Sequence, residues 1–483
     1  MLALIASLLV SLLTGLALVF RLWPQSVPLR SHAPLAAALA VGFGLGLSTC
    51  IFFVWLLAFG PTRGVILADL AVLGSLMATL PRAIALRRGE PSKRDATVAV
   101  RRPFERLLLL SSGVTVACAL GAFAGLSWRA PHGRWDAWMT WNMRARFIFR
   151  GGDAWQDAFT GLPPHSHPDY PLLLHGLVVR GWVYAGHETT LAPIAIGLLF
   201  TFGTVALAVS ALRTYRGTAQ GLLAAMVLLG TPFLITHGAS QYADVPVSFF
   251  FLATLVLLYL YDASGGRTHG FLVLAGAAAG LAAWTKNEGL LFLASLAVAR
   301  AVVVWSAAGL RAFARQAAPF VAGLLPILFI VVYFKMHLAA ATWVADAGTL
   351  DATIARALDV HRYVDIAREF KNRITTFGYN GLVSAFWLLV IYAACVGLAP
   401  REKAAPWIRT VGLTLVAMLI GHAAVFLTTT EEVQRLLNSS LERLLLQLWS
   451  TAVFAYFVIV RTPHEAATRF AGAVVPEPEV HRP

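Results

Sequence analysis

Apolar runs of 18 or more residues without charge recur from one end of this chain to the other. Each is long enough to cross a hydrocarbon layer of about 30 Å. In lipid every backbone N–H and C=O must be satisfied within the protein, which leaves helix bundles and closed barrels. Runs of this length select the helix, so the expected fold is an all-α polytopic membrane protein. Composition agrees. Of 483 residues, 58% are hydrophobic and 13% charged, where a soluble chain carries about 25% charged residues.

Candidate spans fall at 2–20, 35–59, 64–81, 107–127, 191–212, 220–237, 245–261, 269–285, 289–305, 317–337, 381–399, 408–428 and 444–461, about 13 in all. The first run lacks a basic leader and is followed by Arg21, so it reads as an uncleaved span with its N terminus outside. Lys and Arg in short loops set the orientation. Loop 82–106 holds Arg82, Arg87, Arg88, Lys93, Arg94, Arg101, Arg102 and Arg106 and is read as cytoplasmic. Arg213, Arg216, Arg267, Arg311, Arg315, Arg401, Lys403, Arg409 and the tail from Arg461 fall on the same side. The formal charge of +14 is thereby assigned to cytoplasmic loops beside anionic lipid, not to nucleic acid. Cys50, Cys118 and Cys395 each lie in an apolar run and read as small core residues.

Segments 128–190, 338–380 and 429–443 then lie outside, and the first carries the most functional groups. Tyr170–Ala185 is apolar but short, which suits an interfacial or re-entrant helix. Asp136 stands among Trp135, Trp138 and Trp141, a carboxylate beside rings that can stack on a sugar or settle at headgroups. Arg144, Arg146 and Arg150 place positive charge on the face that normally lacks it, where an anionic phosphate or lipid headgroups would explain it. His165, His167 and Asp169 could bind metal, move protons or form a polar turn. Asp244, followed by Pro246, reads as a site acid, a helix N-cap or both. Lys286 and Glu288 interrupt two apolar runs, a costly placement unless they pair or serve a ligand. The topology puts Asp136, Asp169, Asp244 and Lys286 on one face, although they come from four regions.

In these residues the chain resembles the GT-C superfamily of polyprenyl-phosphate-sugar-dependent glycosyltransferases, which includes protein O-mannosyltransferases and lipid A aminoarabinose transferases. The matching pieces are Trp135-Asp136, His167-Pro168-Asp169-Tyr170-Pro171-Leu172, Asp244-Val245-Pro246 and Gly280-Leu281-Ala282-Ala283-Trp284-Thr285-Lys286. They cover about residues 107–305. The resemblance implies a GT-C-like bundle with a large first periplasmic loop carrying interfacial helices. Residues 1–105 would be an added three-helix extension and 106–305 the catalytic core with loop 128–190. Residues 306–483 would hold C-terminal spans, the periplasmic loop 338–380 and a cytoplasmic tail. About three spans precede the loop where the family pattern has one. Asp169 stands where relatives often carry proline or another residue.

The resemblance also implies a sugar donor on a polyprenyl phosphate, a glycan, lipid or protein acceptor, and inversion in one displacement in a bacterial inner membrane. Asp136 would be the base. Lys286 with Arg144 or Arg146 would stabilise the leaving phosphate, with His167 and Glu288 in the same substrate site. Asp244 would orient the acceptor or hold a divalent ion with His167 or Asp169; no cofactor is otherwise required. Three rival readings are a secondary transporter, a non-catalytic envelope scaffold and a lipid-linked polysaccharide polymerase or ligase.

Overall fold

The computed structural model describes residues 1–85, 103–160, 166–340, 349–379, 381–399 and 406–474. Most of the Arg-rich loop 82–106 lies outside these residues, as do His165, residues 341–348, Arg401, Lys403 and the end of the tail. Among the described residues the chain is helical, with one isolated bridge between Leu398 and Val460.

α1 (Leu2–Leu22) and α2 (Ala33–Phe59) form a hairpin whose backbones nearly touch. A Cβ on Gly15 would stand 2.1 Å from the Ala40 carbonyl oxygen, and one on Gly44 2.1 Å from that of Ser11. Lipid is as apolar as leucine, so helices in it associate through such close approach. Gly15→Leu should therefore force the hairpin apart. At the few kcal/mol typical of overpacking, it should visibly lower the melting temperature in detergent; an unchanged value would mean the approach is looser than described.

α3 (Val65–Ala85) and α4 (Pro103–Arg129) follow, then the expected long loop. That loop is structured: a π-turn at Ala137–Trp141, α5 (Asn142–Arg150), a 3-10 segment at Gly152–Phe159, and α6 (Leu173–Ala185). Every residue of α6 from Leu173 to Tyr184 is buried, against α1, α2, α5 and α7 (Leu191–Arg216). α6 thus lies inside the protein, not on a lipid surface as an interfacial helix would.

The expected span 220–237 is broken. α8 (Thr218–Leu229) and α9 (Pro232–Ala239) meet at 64°. Pro232 supplies no N–H to continue α8, and the residue before a proline avoids helical geometry. α10 (Asp244–Ala263) is buried on nearly all sides, and α11 (His269–Thr285) packs beside it.

α12 (Asn287–His337) is continuous by hydrogen bonding but folds at Gly309, whose φ is 79°. A straight helix would separate Asn287 from Lys335 by ~72 Å, yet the Lys335 ammonium donates to Asn287 Oδ1 at 2.6 Å. Arg300 on one leg likewise reaches Gln316 on the other at 2.9 Å. The expected spans 289–305 and 317–337 are the two legs of this hairpin.

α13 (Leu350–Leu358) and α14 (Val360–Thr376) occupy the third segment, followed by α15 (Ala385–Val396), α16 (Pro406–Thr428), α17 (Val433–Ile459) and α18 (Pro463–Val474). α17 begins eleven residues before the expected span, so 429–443 is largely helix rather than loop.

Among the described residues eight helices, α12 counted once, are long and apolar enough to cross a membrane, or nine with α8 and α9 as one span; α3, α11 and α15 hold shorter apolar stretches. The chain is a multi-pass membrane protein. α1, α2 and α3 share one core with the rest: Trp284 donates to Thr49 Oγ1 at 3.1 Å, and Arg180, which pairs with Asp69, also donates to Ser7 and Ser11.

Candidate active site

Asp244 opens α10 and is completely buried. Its side chain makes no capping bond, so the N-cap reading fails. Instead it accepts from three side chains on two other segments. Lys286 and Gln447 donate to Oδ1 at 3.0 and 2.7 Å. Arg443 donates to Oδ2 through Nε at 3.1 Å and Nη2 at 3.0 Å. A buried carboxylate survives only when paired and hydrogen-bonded in this way, and its place in the first turn adds the favourable end of the helix dipole.

Lys286 stands in the extended break between α11 and α12. It also pairs with Glu288 Oε1 at 2.7 Å and lies over the Tyr170 ring, 5.5 Å from its centroid. Only 4% of its side chain is exposed. Arg443 has more open surface, 22%, and a second carboxylate: its Nη2 donates to Asp136 Oδ2 at 2.5 Å. Its guanidinium also stacks near Tyr242. Arg443 therefore ties the loop acid Asp136 to the helix acid Asp244.

Asp169 sits beside this group. Asn287 donates to its Oδ2, and Lys335 donates to its backbone carbonyl, each at 2.5 Å; the Lys335 ammonium is 3.8 Å from the carboxylate. Because Asn287 neighbours Lys286 and Glu288, the break after α11 links the two halves. The structure thus brings Asp136, Asp169, Asp244, Lys286 and Glu288 together at one end of the bundle.

His167 joins them through its ring. It stacks on Tyr170 at 4.7 Å, and Tyr170 stacks on Trp141 at 5.4 Å. His167 and Gln241 have φ of 48° and 63°, the two non-glycine residues with positive φ among those described. Such strain persists where surrounding structure enforces it, commonly at functional sites. Here the two strained residues fall within a few positions of Asp169 and Asp244.

The loop arginines serve the protein itself. Arg144 is buried and donates to the carbonyls of Ala158, His167 and Ser166 at 3.0, 2.8 and 2.8 Å. Burial lowers its pKa to about 10, with Asp169 opposing the shift, so it stays charged at neutral pH. Arg146 and Arg150 both pair with Glu188. Positive charge on this loop clamps its shape: Arg144 is enclosed, which corrects the expectation that it meets a phosphate, while Arg146, 29% exposed, is tied to Glu188. The divalent-ion expectation does not fit either. Asp244's oxygens are filled by N–H donors, and among the described residues no group of three or more His, Cys, Asp or Glu could hold a metal.

His167 and His175 are held below the usual imidazole range. Burial is the main cause for both; Asp169 opposes it at His167, and the Arg144 charge adds to it at His175. An unfolded imidazole takes up its proton near pH 6.5, the folded ones only at lower pH. Their contribution is present in full above about pH 6.5 and is lost as pH falls towards the folded values, by up to ~1.4 kcal/mol per histidine per pH unit. The melting temperature should fall between pH 7 and 5. His175→Phe, which keeps a ring against Trp141, should flatten that slope; an equally steep variant would remove His175 from the explanation.

Arg443, Gln447, Asn287 and Lys335 carry much of this geometry and were not among the expected site residues. One signal for them exists. Arg443 and Gln447 are polar residues at i and i+4, hence on one face, entering an apolar run.

An apolar groove of about 470 Å³ lies between α14, α15, α16 and α17, on the face of α17 turned away from Arg443, lined by Ile374, Phe377, Leu389, Leu445, Trp449 and Tyr456 among others. Leu445 lies two residues from Arg443. Comparison with protein-family models, curated proteins and solved structures yields no match. The site's own geometry carries the functional argument.

Proposed function

We propose that this protein is an inverting glycosyltransferase. On this reading it moves a sugar from a polyprenyl-phosphate carrier to an envelope glycan, lipid or protein at the periplasmic face of a bacterial inner membrane, within a bundle of about 13 spans. The observation that carries the reading is Arg443. It is a partly exposed cation that bridges two carboxylates from separate elements at one end of the helix bundle. A lipid phosphate needs a cation at headgroup level, and on this reading Arg443 is that cation.

Asp136, 21% exposed, is the base. It accepts the acceptor's hydroxyl proton as the new bond to the anomeric carbon forms and the carbon–oxygen bond to the phosphate breaks. The lipid phosphate departs as an anion, which preorganised positive charge favours. Arg443 and Lys335, 22% and 27% exposed, are the cations placed to meet it. Lys286 is too enclosed for direct contact and holds Asp244 and Glu288 in their charged forms. Asp244 positions Arg443, and Asp169 with Asn287 positions Lys335.

The transporter reading draws on acids inside spans. Asp69 is such an acid, but it is closed off by Arg180 and Tyr184, which suits structure better than a pathway.

Asp136→Asn tests the proposal. Losing a positioned base should reduce sugar transfer by ~10²–10⁴-fold, with normal membrane insertion and accumulation of the lipid-linked donor. Transfer at the wild-type rate would overturn it.

A further inference from the structure

α13 and α14 are strongly amphipathic, and only part of their apolar surface meets the protein. Ile366 of α14 is buried and Phe370 packs on Phe426 of α16. Beside that contact a second stripe stays open. Leu350, Ile354 and Leu358 are 74%, 47% and 73% exposed, and Val360, Tyr363 and Val364 are 69%, 49% and 49% exposed. At i, i+4, i+8 in α13 and i, i+3, i+4 in α14, each set lines one helix edge.

Three arginines fix the level of these helices. Arg356 donates to the Thr428 carbonyl at 3.0 Å; Arg362 donates to those of Leu427 and Thr429 at 2.9 and 3.1 Å. These are the last two carbonyls of α16 and the one just past it, left without helical partners where the span ends. Arg373 meets Glu442 and Asn438 on α17 at 3.1 and 2.9 Å, next to Arg443. α13 and α14 are thereby held at the height where two apolar helices stop. One side of α16 below this point exposes Leu413, Val416 and Ile420, an outward face made for lipid.

We infer that α13 and α14 lie in the headgroup layer of the leaflet at the site end, with this stripe in the acyl chains, so that the partner of this surface is the lipid bilayer. The opposite face of α14 carries His361, Asp365, Glu369 and Asn372, polar side chains that suit water and headgroups. Ile374 and Phe377 at its end line the apolar groove, so the element borders the route from lipid to that groove. The inference rests on membrane insertion alone and stands whatever the enzyme transfers.

Spin labelling of the full-length chain tests it. Cys118 and Cys395 are replaced by serine; Cys50 is buried and stays. A nitroxide is placed singly through Val360→Cys, Val364→Cys, Asp365→Cys or Asn372→Cys, in vesicles of phosphatidylethanolamine and phosphatidylglycerol. At 360 and 364, relaxation by dissolved oxygen should exceed that by a water-soluble nickel chelate several-fold. At 365 and 372 the order should reverse. Equal access of the chelate to all four positions would overturn the inference, because the stripe would face water. Shielding of 360 and 364 from both reagents would also overturn it, because a protein surface would cover the stripe.

Discussion

Replacing Arg443 by methionine should destabilise the protein by about 3 kcal/mol and reduce transfer at least ~100-fold. Breaking a buried ion pair by deleting one partner costs about 3–5 kcal/mol, because the other charge is left buried and unpaired. The lower end applies here. Lys286 and Gln447 still hold Asp244 Oδ1, so the loss falls on Oδ2 and on Asp136, which is partly exposed. If the proposed transfer is right, the activity loss comes from removing a fixed charge aimed at the departing phosphate, about 10²–10³-fold for one preorganised donor. Arg443→Lys should recover little. An ammonium lacks the planar fork that reaches both carboxylates at once. Thermal unfolding in detergent and a transfer assay report the two effects separately. A variant with wild-type melting temperature would mean Asp244 is satisfied without Arg443. One with wild-type transfer would remove Arg443 from the site.

The second large effect is expected far from that site. Arg180 on α6 and Asp69 on α3 are each about 1% exposed and pair at 2.8 Å. Asp69 Oδ2 also accepts from Tyr184 at 2.6 Å, while Arg180 Nη1 donates to the Ser7 and Ser11 hydroxyls at 2.8 and 3.0 Å. Asp69→Leu or Arg180→Leu alone should cost about 3–5 kcal/mol. The double replacement should be near neutral or stabilising. Desolvation of both charges is then avoided, and Asp69 Oδ1, which is buried without a hydrogen-bond partner, disappears. A double-mutant cycle on melting temperature reads the coupling. Two near-silent single variants would show that water reaches the pair.

Hydropathy alone determined that this chain is a bundle of membrane helices, since lipid requires each segment to satisfy its own backbone locally. It also placed the polar breaks at Asp136, Asp169, Asp244 and Lys286, because charges are tolerated between apolar runs and stand out there. What each charge touches was beyond it. Asp136 and Arg443 are 307 residues apart in sequence, and Asp244 and Arg443 are 199 apart; no local period encodes such a pairing. Arg144 and Lys286 looked alike as cations near a headgroup surface, and only packing shows both enclosed, with Arg443 and Lys335 left partly open. The hairpin at Gly309 and the early start of α17 bring those two cations to the acids. Both are set by how neighbouring helices stack, so the tertiary structure decided the site.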